Sequence, residues 1–172
     1  MSSRTAPKTH PHTQLPTWSR VLRATFRIML GVFLLLAGIS HLTVNREAFL
    51  AQVPTWLPLD GDFVVLASGV VEIVLGGALV AVGRYRVYVG WIVAAFFVAI
   101  FPGNISQLVT HTDSFGLDTD LQRTIRLLFQ PVLVLWALWS TGAWRAWRGY
   151  LAQKRAEQRA EQGAAPRSGT IG

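Results

Sequence analysis

The stretch FVVLASGVVEIVLGGALVAVG, Phe63 to Gly83, decides the fold. It is an otherwise apolar run that carries one charge, Glu72. About 20 such residues in a helix cross the roughly 30 Å hydrocarbon slab of a bilayer. The run does not alternate, and it is about twice the length of a transmembrane β-strand, so a helix is the spanning form it fits. Three other runs share its character: ATFRIMLGVFLLLAGISHL (24–42), VYVGWIVAAFFVAIFPGNISQLVT (87–110) and LQRTIRLLFQPVLVLWALWSTGAW (121–144). The sequence therefore predicts an all-α integral membrane four-helix bundle with helices at 24–42, 63–83, 87–110 and 121–144.

Composition agrees. Of the 172 residues 51% are hydrophobic and 15% charged, and the apolar residues are gathered in blocks rather than spread at a surface-helix period. The net charge of +7 raises nucleic acid as a partner. The basic residues stand in tails and turns beside apolar runs, not along a polar face, so no nucleic-acid partner is expected and the lipid bilayer is. The chain has no cysteine. Disulfides, thiol redox cycling and cysteine-ligated metals are thereby excluded, and electron chemistry would need a bound cofactor or a partner chain. No nucleotide-binding loop, metalloprotease motif or triad pattern appears, so the chain is not expected to be a complete enzyme by itself. Asn104-Ile105-Ser106 matches the glycosylation triplet, but it lies inside a span.

Positive charge sets the orientation. Arg4, Lys8, Arg20 and Arg23 precede the first span, Arg84 and Arg86 lie between the second and third, and Arg145, Arg148, Lys154, Arg155, Arg159 and Arg167 follow the fourth. The other two connections carry Glu47, Asp60 and Asp62, then Asp113, Asp118 and Asp120. Both termini are expected in the cytoplasm of a bacterial cell, with the chain in the inner membrane. Residues 1–19 read as a disordered tail, too long and polar for a secretory leader. Residues 20–150 form the transmembrane domain, and 151–172 a basic tail that opens with helical character. Trp136, Trp139, Trp144, Trp147 and Tyr150 are expected at the inner interface. Between Asn45 and Asp60, apolar residues and Pro54 and Pro58 predict a short interfacial helix near 46–52. An extended stretch follows it, folded back over the outer mouth of the bundle.

Glu72 is the residue that needs an explanation. At about 1.5 Å rise per residue it stands about 14 Å below the outer surface, near the bilayer midplane. A charge there costs about 2.5–3.5 kcal/mol on insertion scales, so it faces protein rather than lipid. Ser68, Gly69 and Gly76 share its stripe and allow close helix approach. Other spans bring polar groups to the same half: His41 ends the first, Asn104 and Gln107 stand in the third beside Pro102 and Gly103, and Arg123, Arg126 and Gln130 share a face of the fourth. Depth puts Arg126 at about 8 Å and Gln130 at about 14 Å, and Arg126 is the partner expected for Glu72. Asn104 is in place to satisfy a carbonyl freed by Pro102. The competing reading is structural glue, but interhelical hydrogen bonds of that kind average only about 0.6 kcal/mol.

The order AGISHL (37–42), VPTWLP (53–58), SGVVEIVLGG (68–77), FPGNI (101–105) and RLLFQ (126–130) resembles the DoxX-like membrane proteins. The resemblance runs from about Arg27 to Trp139. Gly103 stands where that family has Ala, Leu128 where it has Pro and Leu42 where Phe is common, and the missing Pro predicts a straighter fourth helix at Leu128. Position by position the resemblance selects His41, Glu72, Asn104, Arg126 and Gln130, the same five the residues themselves select. Named members include a small subunit of an archaeal thiosulfate:quinone oxidoreductase and a partner in a bacterial oxidative-stress complex. The resemblance implies a small membrane subunit that binds a quinone or another lipophilic molecule for a redox-enzyme partner. The alternative is a non-catalytic membrane scaffold or assembly factor.

Overall fold

The computed structural model describes residues 16–113, 116 and 119–164. The expected tail before Pro16 and the end of the basic tail beyond Ala164 lie outside the described residues. Among the described residues six helices follow one another: α1 (Thr17–Leu42), α2 (Arg46–Leu50), α3 (Gly61–Ala81), α4 (Arg86–Val109), α5 (Asp120–Thr141) and α6 (Ala143–Ala164). Four of them, α1, α3, α4 and α5, are long and apolar enough to cross a membrane. The protein is an all-α four-helix membrane bundle. The middle of these helices settles the solvent: Val74 and Leu135 are each 63% exposed and Val98 59%. Apolar surface of that extent belongs in hydrocarbon.

Local chemistry sets the helix ends. The α1 helix begins two turns earlier than its apolar run because Pro16 starts it, with the Ser19 N–H and Oγ both donating to the Pro16 carbonyl. Asp60 caps α3 by accepting from the Phe63 N–H at 2.9 Å. Thr119 and Gln122 form a reciprocal capping box on α5. The fourth span ends at Thr141, not at 144, because Gly142 takes the left-handed conformation (φ 78°) and closes the helix. The chain turns there and resumes as α6, so Trp144, Trp147 and Tyr150 belong to a separate helix.

The four spans form a ring in the order α1, α3, α4, α5, with α1 opposite α4 and α3 opposite α5. The tightest contact is antiparallel, between α1 and α3. A Cβ built on Gly38 would fall 2.5 Å from the Gly69 carbonyl oxygen, and one on Gly76 would fall 2.6 Å from that of Gly31. Two glycine pairs, two turns apart, thus bring the backbones together where hydrocarbon offers no hydrophobic drive between helices. On the other side Phe97, Val93 and Ala94 of α4 pack with Leu133, Ala137 and Leu138 of α5. At the end of the bundle away from the termini, Arg46 Nε donates to Asp62 Oδ1 at 2.9 Å and ties α2 to α3. The short helix expected near 46–52 is present as α2, ending at Leu50. The residues after it wind through turns, with the Leu57 N–H on the Pro54 carbonyl, rather than running extended.

Candidate functional site

The α2 end of the bundle holds a cavity of about 600 Å³. His41 of α1, Glu72 of α3, Asn104 of α4 and Arg126 and Gln130 of α5 all line it, so the five residues singled out from the sequence meet in one place. Leu34, Phe97 and Leu133 add apolar wall, and Phe49, Trp56 and Leu57 of the connection lie over it. Glu72 and His41 are both buried.

The pairing within the cavity differs from the expectation. Glu72 does not meet Arg126: its Oε2 faces His41 Nε2 at 3.7 Å, and Arg126 Nη2 donates to Gln52 Oε1 at 2.7 Å. The reason is lateral. Helices α3 and α5 are diagonal across the ring, whereas the glycine contact brings α1 against α3 and carries His41 to the carboxylate. Among the described residues, Glu72 Oε2 has no hydrogen-bond partner.

Ser68 orients the imidazole. Its Oγ donates to the Val65 carbonyl at 2.9 Å and lies 3.0 Å from His41 Nδ1. A hydroxyl has one proton, so with that proton on Val65 the oxygen accepts from Nδ1–H. Nε2 is then the nitrogen turned to Glu72, and in neutral histidine it is an acceptor. The 3.7 Å gap is longer than a hydrogen bond and leaves two proton-active groups facing each other beside the cavity.

Asn104 and Gln130 form a closed polar layer. Asn104 Nδ2 donates to Gln130 Oε1 at 2.9 Å, and Gln130 Nε2 donates to the Phe97 carbonyl at 2.7 Å. Pro102 opens the helical ladder in this stretch of α4. Asn104 Nδ2 goes to Gln130 rather than to a carbonyl of that turn, and Gln130 from the neighbouring helix donates to the Phe97 carbonyl, one residue before the Val98 carbonyl that Pro102 leaves without its helical donor. Arg123 lies outside the cavity, buried between Asp113 and Asp120, and His111 joins that cluster through Asp120 at 2.8 Å. Gln107 is buried and donates toward the Thr112 carbonyl at 3.4 Å.

Sequence reasoning missed two contributors. Gln52 carries no motif, and only the folding back of its segment brings it to Arg126 and over Gly103, where a Cβ would meet the Gln52 carbonyl at 3.2 Å. Ser68 was legible as a small residue on the Glu72 stripe, but its service to His41 depends on the packing of α1 against α3.

The model of a domain of unknown function, DUF8561, matches residues 30–141. The chain belongs to the DUF8561 family. The matched segment of this DUF8561 protein runs from mid-α1 to the end of α5 and contains all five candidate residues, while α6 lies beyond it. No curated protein and no solved structure matches the chain.

Proposed function

We propose that this DUF8561 protein is a small membrane subunit that binds a lipophilic molecule of the quinone class for a redox partner, in the cavity between its four spans. The observation that carries the reading is the buried Glu72 Oε2, without a hydrogen-bond partner among the described residues, beside His41 in a cavity of about 600 Å³. Small-molecule sites typically have about 300–1,000 Å³, mostly apolar walls and a few placed polar groups. A quinone has two carbonyl acceptors and an apolar tail. The Arg126 guanidinium, a planar fork of N–H donors on the cavity wall, supplies a charged hydrogen bond to a ring oxygen. His41 and Glu72 supply or take protons. Reduction of a quinone to a quinol consumes two electrons and two protons; the electrons come from the redox partner and the protons pass through the His41–Glu72 pair. The DoxX-like motifs add to this reading. In the proposed setting, a bacterial inner membrane with both termini in the cytoplasm, the cavity lies in the outer half of the bilayer.

The test is binding of short-chain ubiquinone and menaquinone analogues to purified protein in nanodiscs, followed by tryptophan quenching, with mass spectrometry of lipophilic molecules that co-purify. Saturable binding that weakens at least about tenfold in Glu72→Gln, about 1.4 kcal/mol, is expected. Absence of binding by either analogue, with no co-purifying lipophile lost in the variant, defeats the proposal. The satisfied Asn104–Gln130–Phe97 layer favours a second reading, a scaffold whose polar residues hold helix register. On that reading Glu72→Gln leaves co-purifying molecules unchanged.

A further inference from the structure

At the opposite end of the bundle the arginines do not simply decorate the surface. Arg20, Arg23 and Arg27 of α1, Arg86 of α4 and Arg145 of α6 line one cleft of about 330 Å³. Each comes from where its helix meets the end of the bundle, and the left-handed turn at Gly142 brings Arg145 over α1 and α4. Among the described residues none of the five is in an ion pair, since the salt bridges lie at the α2 end. Arg27 Nη1 is buried without a hydrogen-bond partner among the described residues. Arginines that only set orientation spread their charge into water. Convergent guanidiniums with a buried, unsatisfied N–H define instead a place for an anion.

A second feature adjoins the cleft. An apolar groove of about 590 Å³ runs between α1 and α5, walled by Phe26, Val132, Leu135, Trp136 and Trp139. It shares Arg23, Gly142 and Arg145 with the cleft, so the two are one continuous surface, cationic at its end and apolar along its length. Contacts across the groove wall join α1 to α5: Trp136 Nε1 donates to the Phe26 carbonyl at 3.0 Å, and Phe26 meets Trp136 and Trp139 edge-on. Arg23 lies over the Trp139 ring at 5.5 Å, at the join.

We propose that this surface is a site for an anionic phospholipid, with the headgroup phosphate among the arginines and an acyl chain along Phe26, Trp136 and Trp139. Charge complementarity selects the headgroup: planar guanidiniums bind phosphate oxygens bidentately, and basic pockets between spans suit anionic lipids. Continuity with an apolar groove selects a lipid over a free phosphate. The site is distinct from the cavity at the α2 end and does not depend on what that cavity binds.

The test is native mass spectrometry of the full chain with phosphatidylglycerol, with phosphatidylcholine of the same acyl chains, and with glycerol 3-phosphate. Phosphatidylglycerol is expected to bind about tenfold more tightly than phosphatidylcholine, and the Arg27→Gln/Arg86→Gln variant to lose most of that preference. A charge-matched variant, Arg148→Gln/Arg155→Gln, lies outside the cleft and is expected to keep it. Equal binding of the two lipids, or equal loss in both variants, overturns the site. Displacement of phosphatidylglycerol by equimolar glycerol 3-phosphate overturns the lipid and leaves a free-phosphate site. If the cleft variant does not give folded protein, Arg145→Gln at the start of α6 carries the same comparison, and an unchanged preference in it overturns the proposal.

Discussion

His41 Nε2 and Glu72 Oε2 face each other at 3.7 Å across the α1–α3 contact, each on a buried side chain, with Ser68 holding the far nitrogen of the imidazole. The pair is the polar centre of the cavity, and its closeness follows from the glycines beneath it. Gly38 and Gly69 meet next to His41, so the histidine cannot move away from α3 without opening that contact.

Energetic coupling distinguishes this pairing from the one with Arg126. The His41→Gln and Glu72→Gln effects on unfolding in detergent are expected to be non-additive by about 0.5–3 kcal/mol. Glu72→Gln and Arg126→Gln, on diagonal helices and without an ion pair between them among the described residues, are expected to couple more weakly than that. The reverse pattern in a double-mutant cycle restores the Glu72–Arg126 pair.

The glycine contact gives a sharp contrast. Gly38→Ala and Gly76→Ala put a methyl against backbone and are expected to destabilise by about 1–3 kcal/mol. At Gly77, one residue along the same helix, an added Cβ would meet nothing within 4 Å. Gly77→Ala is therefore expected to be neutral or to stabilise by up to about 1 kcal/mol. Equal effects at Gly76 and Gly77, read from melting curves, contradict the close α1–α3 approach.

Gln130 serves two partners at once. Gln130→Leu leaves the Asn104 amide and the Phe97 carbonyl without that partner and is expected to cost about 1–3 kcal/mol. Adding Asn104→Leu is expected to recover part of the loss. A Gln130→Leu protein that melts with the wild type shows that the polar layer contributes nothing to stability.

A chain without cysteine suits single-cysteine mapping of its orientation. Val44 is 86% exposed at the α2 end, and Gly149 lies on the exposed face of α6. An impermeant maleimide added to intact cells is expected to label Val44→Cys and to reach Gly149→Cys only after lysis. Labelling in the opposite order inverts the topology and moves the cavity to the inner half of the bilayer.

Span number and the inward facing of Glu72 were legible along the chain, because both depend on local quantities. Apolar length measured against bilayer thickness marks four helices, and a stripe of Ser68, Gly69 and Gly76 around a carboxylate marks the face that meets protein. The fixed rise of a helix gives each polar residue a position along its span, which set the five polar residues at one end, and they line one cavity. The order of helices around the ring has no such local sign. His41 and Arg126 both come from the right end of the bundle, and only the packing of α1 on α3, with α5 set diagonally, makes His41 the neighbour of Glu72. The same holds for Gln52, brought to Arg126 by the return of its loop. It holds also for Arg145, carried into the arginine cleft by one left-handed glycine. A helix states how deep its side chains lie; which other helix they meet is a property of all four packed together.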